Sequence, residues 1–318
     1  MPRVTVVMSV YNASRFLGEA ISSILAQTFQ NFEFIIVDDG SEDGSRSVIE
    51  SFADPRIRLI SCPHRGIPAS LNEGVALARG QYIARQDADD ISLPTRLERE
   101  VAVLDGDARI GLVGSTYVVI HEDGAVKRPK KVFTHPDDLA LAQLVSNQFG
   151  GGAVMMRREV LEQVGRYALS AEHGVEDYDL FTRIARVARI ANIGEPLYLL
   201  RRHPESISVS RREEQYRRAL EIRDREFKRL LTNRKCFRVA SSVHPFGYHF
   251  GWREYARRKA RLFRSVAYLY QTNGRWRSAA GVLLLAIVYG PGQRHNYNCL
   301  VSVLRNRTGP PSWEYEWA

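Results

Sequence analysis

Phe32-Glu33-Phe34-Ile35-Ile36-Val37-Asp38-Asp39-Gly40-Ser41 is an apolar run, Phe32–Val37, that ends in two carboxylates and a turn. Such a run reads as a buried strand, because aromatic and β-branched side chains fill both of its faces. The same change of pattern repeats on either side. Upstream lie a second apolar run at Val4–Val10 and helical spacing at Phe16–Ala26. Downstream come a helix at Ser45–Phe52, a strand at Ile57–Ser61, a helix at Ser70–Ala78 and a strand at Tyr82–Arg85. Strand–helix alternation predicts an α/β fold with a mainly parallel central sheet flanked by helices. Ligands of such sheets bind beyond the carboxyl ends of the strands. Those positions hold Tyr11-Asn12, Asp38-Asp39-Gly40-Ser41 and Asp87-Ala88-Asp89-Asp90.

Past Asp90, Pro94–Leu104 has helical spacing and Ile110–Ile120 reads as a strand closed by the turn His121-Glu122-Asp123-Gly124. Leu139–Val164 is mixed and broken by Gly150-Gly151-Gly152, the mark of flexible or closely approached backbone. Val175–Ala188 reads as a helix opened by Glu176, Asp177 and Asp179, Leu197–Leu200 as a strand, and Arg201–Ser210 as a polar loop. The turn after the first strand, Tyr11-Asn12-Ala13-Ser14, carries no glycine-rich dinucleotide fingerprint, and the Walker pattern is absent.

The 318 residues suffice for one large domain or two ordinary ones, and 44% hydrophobic with 25% charged side chains excludes wholesale disorder. Cys62, Cys236 and Cys299 are odd in number and far apart, which excludes a disulfide scaffold or zinc ribbon and points to a reducing compartment. The net charge of +9 is unevenly spread: residues 1–210 carry 23 basic against 28 acidic side chains, net −5, whereas residues 211–318 carry 22 against 8, net +14. A mildly acidic body over 1–210 and a basic, α-helical C-terminal region over 211–318 are therefore expected. In that region Tyr216, Ala219, Leu220, Phe227, Leu230 and Leu231 share one helical face, and Trp252–Tyr270 and Trp276–Tyr289 read as two further helices. Their aromatic and arginine side chains interleave in a way that suits an anionic membrane surface, the alternative being a helical subdomain with a solvated basic face. No nucleic-acid motif accompanies them, so nucleic acid is not expected as a partner. The N-terminal residues lack a signal-peptide pattern, and the longest apolar run, Ala279–Tyr289, is well short of the ~20 residues of a membrane span. The expected location is the cytoplasm, peripheral on the inner face of the membrane.

Asp87 and Asp89 are the sharpest chemical feature. Two carboxylates one residue apart at a strand end suit a hard divalent cation, which takes few carboxylates together with substrate phosphates. An acidic turn ahead of a helix is the structural alternative. Asp38 and Asp39 offer acceptors to a base or ribose, or a turn and helix cap. Tyr11 offers a stacking face, or plain packing. Asp177 sits where a helix dipole favours an acid, and where a general base toward a hydroxyl would stand. His203, beside Arg201 and Arg202, offers a phosphate contact or a solvated loop.

In combination and order these stretches resemble the family 2 glycosyltransferases, which have the nucleotide-sugar-binding GT-A fold. The resemblance is carried by Val6-Val7-Met8-Ser9-Val10-Tyr11-Asn12, by Ala20 to Phe29, by Phe34 to Ser41, by Gly80 to Asp90 and by Val175 to Phe181. It runs from Arg3 to about Ser210. It implies a metal-dependent, inverting transfer of one sugar from a nucleotide-diphosphate sugar, UDP-linked, to a hydroxyl of a glycan or lipid-linked acceptor, in cell-surface polysaccharide or glycoconjugate synthesis. It further implies that Tyr11 and Asp39 hold the base with Asp38 beside them, and that Asp87 contacts the ribose or assists the metal. Asp89 would bind Mn²⁺ or Mg²⁺ on the diphosphate, Asp177 would be the base, and His203 would sit near the diphosphate. Leu71-Asn72 stands where members often carry Arg-Asn, and Phe181 where a Trp frequently follows. Gln215-Tyr216-Arg217-Arg218-Ala219 lacks the Trp of processive synthases, which implies single transfers rather than polymerisation. The competing readings are a catalytically inactive GT-A module tethered by its basic tail, and nucleotidyl transfer.

Overall fold

The computed structural model describes residues 1–232 except 131, 145 and 171–173. The helices expected at Trp252–Tyr270 and Trp276–Tyr289 lie outside the described residues. One compact unit runs from Met1 to Arg229.

The first half is a parallel sheet. β1 (Val4–Val10), β2 (Phe32–Asp38) and β3 (Ile57–Ser61) alternate with α1 (Ser14–Leu25) and α2 (Ser45–Glu50); α3 (Ile67–Leu77) then leads to β4 (Tyr82–Asp87). Their spatial order is β3-β2-β1-β4, with Val7 beside Ile35 on one side and Arg85 on the other. Every residue of β2 is buried, as its two-sided apolar sequence requires. α1 covers one face with Phe16, Leu17, Ala20, Ile21 and Ile24, while Leu71 and Val75 of α3 cover the other. Because the four strands run in register, the turns after β1, β2 and β4 open at one end of the sheet.

The second half departs from the expected parallel pattern. It comprises β5 (Ile91–Ser92), α4 (Arg96–Gly106), β6 (Ile110–His121), β7 (Val126–Pro129), α5 (Pro136–Gln143), β8 (Val154–Arg157), α6 (Arg158–Gln163), α7 (Glu176–Ile184) and β9 (Arg189–Arg202). β8 enters antiparallel between β4 and β6; β9 lies parallel to β6, and β5 pairs antiparallel with β9. The mixed stretch Leu139–Val164 thus contains a strand, and the strand expected at Leu197–Leu200 begins eight residues earlier, at Arg189. Gly194-Glu195-Pro196 hides it: the register jumps from Ser115 opposite Ile193 to Thr116 opposite Pro196, a bulge that interrupts the alternation. Arg201 and Arg202 end β9, and the expected loop closes in a short helix, α8 (Ile207–Ser210).

The helix expected around Tyr216–Leu231 is α9 (Arg212–Thr232). Ile222 packs with Val175 and Tyr178 of the α7 region, Arg225 Nη2 donates to Asp179 Oδ1 at 2.5 Å, and Arg186 pairs with Glu226. Among the described residues, no helix is long and apolar enough to cross a membrane.

Candidate active site

Because β1 and β2 end side by side, their turns interlock. Asn12 adopts φ +48°, in the left-handed region that asparagine tolerates. Its N–H donates to Ser41 Oγ at 3.1 Å, and its Oδ1 accepts from the Glu42 N–H at 2.9 Å. Asp38 closes its own turn, accepting the Ser41 N–H at 3.0 Å. Asp39 is 1% exposed and reaches across to the loop after β3. Its Oδ1 accepts the Arg65 N–H at 3.0 Å and its Oδ2 the Gly66 N–H at 2.8 Å, while His64 Nδ1 stands 2.9 Å from Oδ2. The His64 ring stacks on Tyr11 with centroids 4.0 Å apart and an interplanar angle of 24°. Tyr11, His64 and Asp39 thereby form one corner, an exposed aromatic platform with a buried carboxylate behind it.

The acidic turn after β4 forms the second corner. Asp87 Oδ1 accepts Arg85 Nε–H at 2.9 Å, and the Asp87 N–H donates to the Tyr198 hydroxyl at 3.2 Å. His203 Nε2 lies 3.0 Å from Asp89 Oδ2. Burial and the charge of Asp87 push the Asp89 carboxyl up, against the pull of His203. Asp90, buried and accepting the Arg201 N–H at 2.7 Å, is held well above the usual carboxylate range by burial and then by its two neighbours' charges. Arg96, wholly buried, braces the turn from behind: it donates to Ser92 Oγ at 2.8 Å, to the Arg85 carbonyl at 2.7 Å and to the Val154 carbonyl at 3.1 Å. Three carboxylates thus fall within four residues, and two of them, Asp89 and Asp90, are disfavoured as anions. Among the described residues no group of three His, Cys, Asp or Glu side chains gathers as a complete metal cage. Asp87 and Asp89, two carboxylates at a strand end, are the residue types that a hard divalent cation takes in small number beside water and phosphate oxygens.

Asp177 lies in the first turn of α7. Its Oδ1 accepts the Tyr178 N–H at 2.6 Å and its Oδ2 accepts Asn147 Nδ2–H at 2.9 Å. Burial, and next the charge of Glu176, raise its pKa to about 7, against the opposing pull of Arg85. The glycine run explains how Asp177 comes near the acidic turn. A Cβ on Gly151 would stand 2.9 Å from Asp177 Oδ2, and one on Gly152 would stand 2.8 Å from Asp87 Oδ2. Bare backbone at these two positions leaves room for the Asp177 and Asp87 carboxylates against the same stretch of chain.

All seven predicted residues thus lie at this end of the sheet, in two corners and on the first turn of α7. Leu71, which departs from the family pattern, is a core residue, whereas the adjacent Asn72 clips a distant loop, donating Nδ2–H to the Tyr167 carbonyl (2.8 Å) and accepting the Tyr167 N–H at Oδ1 (3.0 Å). Phe181 is wholly buried. Sequence reasoning missed His64, Arg85, Asn147 and Tyr198. Only Arg85 had a local sign: two residues before Asp87 on one strand, it shares that side chain's face.

Fold and site together define a GT-A glycosyltransferase. Residues 5–165 match the model described as Glycosyl transferase family 2, and the chain belongs to that family. EpsE of Bacillus subtilis, provisionally named a glycosyltransferase, is 36% identical over 206 residues, covering 63% of this chain and 73% of its own length. An uncharacterized glycosyltransferase of Haemophilus influenzae is 32% identical over 233 residues, covering 70% of this chain and 72% of its own. The fold is shared with S. aureus TarS 1–349 in complex with UDP-GlcNAc, at TM-score 0.61 and 15% identity, over 96% of this chain and 91% of that one. It is also shared with the mannosyltransferase PcManGT from Pyrobaculum calidifontis in complex with GDP-Man and Mn²⁺, at TM-score 0.56 and 19% identity, over 96% and 87% of the two chains.

Proposed function

We propose that the protein transfers one sugar per encounter, with inversion, from a UDP-linked donor to a hydroxyl of a glycan or lipid-linked acceptor in cell-surface polysaccharide or glycoconjugate synthesis. The observation that carries this reading is Asp177, a carboxyl raised to about 7 and separated from Asp87 by the backbone of two glycines. A base titrating near neutrality is ionised enough to act and basic enough to take a proton. Asp177 would accept the acceptor hydroxyl's proton as that oxygen bonds to the anomeric carbon. The bond from that carbon to the donor phosphate breaks on the opposite face, and the nucleoside diphosphate leaves with the electron pair. One displacement with one base inverts the anomeric centre, by the logic of inverting glycosidases.

Tyr11 and Asp39 would hold the base with Asp38 and His64 beside them, Asp87 the ribose, and Asp89 with His203 the diphosphate end. Mn²⁺ or Mg²⁺ bound at Asp89 would supply neutralisation of the charge that develops on the diphosphate. The UDP and UDP-GlcNAc of TarS and the GDP-Man and Mn²⁺ of PcManGT support a nucleotide-sugar donor and a divalent cation. We assign residues 1–210 to catalysis and the basic stretch 211–318 to an anionic membrane surface on the cytoplasmic side, where a lipid-linked acceptor would be met.

The test is nucleotide release and thermal shift with UDP-, GDP- and dTDP-sugars, with and without Mn²⁺, on wild type, Asp89→Ala and Asp177→Asn. Expected are metal-dependent stabilisation by one nucleotide class, lost in Asp89→Ala, and retained donor binding without turnover in Asp177→Asn. Unchanged donor affinity in Asp89→Ala would remove the metal assignment. Full turnover in Asp177→Asn would place the base elsewhere.

A further inference from the structure

Arg85 fills the space between the donor side of the site and the base. Its side chain leaves β4 two residues before Asp87, is 6% exposed, and divides its planar fork between two elements. Nε donates to Asp87 Oδ1 at 2.9 Å and Nη1 donates to Glu176 Oε1 at 3.2 Å. Glu176, itself 3% exposed, immediately precedes Asp177 at the start of α7. The rest of the guanidinium is walled in. Its Cζ lies 5.9 Å from the Tyr167 ring centroid, and a Cβ on Gly151 would sit 3.5 Å from it. Tyr167 is fixed in turn by the Asn72 clip. A cation so far from water persists only when paired, and both carboxylates that pair it adjoin reacting groups. Asp87 cannot shift relative to α7 without losing one of two charge-assisted hydrogen bonds.

We propose that Arg85 is a positioning residue for the transfer, fixing Asp87 on the donor side and the Asp177-bearing turn of α7 on the acceptor side at the separation an in-line displacement needs. The inference rests on the reading of Asp177 as the base. Lysine cannot stand in, because a point charge on a flexible stem reaches one carboxylate where the fork reaches two. Arg85 also carries the positive charge among the groups that face Asp177: Glu176 from the same helix, Asp87 and Arg85 from β4, and Tyr167 from the clipped loop.

Arg85→Lys, Arg85→Met and Asp177→Asn are compared with wild type by thermal midpoint and by nucleotide release as a function of pH. The probe is whichever UDP-, GDP- or dTDP-sugar wild type turns over in the panel above. For Arg85→Lys we expect kcat to fall roughly tenfold or more, with the nucleotide-sugar KM within about threefold and the midpoint retained. Arg85→Met falls further, and its acid limb moves to higher pH because Asp177 loses a favourable cation. Either variant turning over within about threefold of wild type, or a loss lying wholly in KM, overturns the proposal. Should Arg85→Met not fold, Arg85→Lys decides by the same criteria. Full turnover in Asp177→Asn makes the base assignment the point of failure; an inactive Asp177→Asn beside fully active Arg85 variants makes it the positioning role alone.

Discussion

Glu176→Gln should make the enzyme faster in acid. Asp177 stands at about 7 instead of 3.8, first through burial and next through the negative charge of Glu176. Glutamine keeps the shape of Glu176 and an oxygen that accepts Arg85 Nη1–H, so the bridge at 3.2 Å persists without the charge. Removing a like charge adjacent to a buried carboxyl lowers its pKa by ~1 unit or more. At about pH 6 a base titrating near 7 is roughly one-tenth ionised, and one titrating near 6 is about half ionised, so kcat there should rise roughly fivefold. Above about pH 8 both forms are ionised and the rates should agree within about twofold. The assay is initial nucleotide release under saturating donor and acceptor across this range, with the acid limb fitted for each protein. An acid limb that stays put, or moves to higher pH, would refute the claim that Glu176 sets the ionisation of the base.

Gly152→Ala should cost about a hundredfold in kcat/KM, because its Cβ would overlap the Tyr198 hydroxyl and crowd Asp87 Oδ2 at 2.8 Å. Gly106→Ala, with nothing within 4 Å of the added carbon, should keep wild-type kinetics and serves as the control. Arg96→Met should destabilise the fold by about 3–5 kcal/mol, read by chemical denaturation, because it strands Glu100 as a buried carboxylate whose burial already pushes its pKa up. Arg96→Met with Glu100→Gln should recover much of that loss, and equal instability of single and double variants would show that the hydrogen bonds to the acidic turn dominate.

What the sequence made legible divides at β4. From Val4 to Asp87 each strand is a short apolar run fenced by a helix of clear period, so local pattern and tertiary position agree. β8 is four residues of antiparallel strand with no turn partner nearby in the chain, and the bulge at Gly194 breaks the alternation of β9. The site divides similarly. Asp38, Asp39, Asp87, Asp89 and Asp177 were visible because strand ends and helix starts can be located from pattern. His64, Asn147 and Tyr198 were not, since each matters through a partner far away in sequence: Asp39, Asp177 and Asp87.

Asp39 bears on how such an enzyme could be retargeted. Both its oxygens already accept N–H groups of Arg65 and Gly66, so the residue doubles as the peg on which the loop after β3 hangs. On the proposed reading, in which Asp39 holds the nucleobase, a substitution there would release that loop as well. On that reading, directed evolution toward another donor has its open ground at Tyr11, which is exposed, rather than at His64, whose Nδ1 also reaches the Asp39 carbonyl at 3.2 Å.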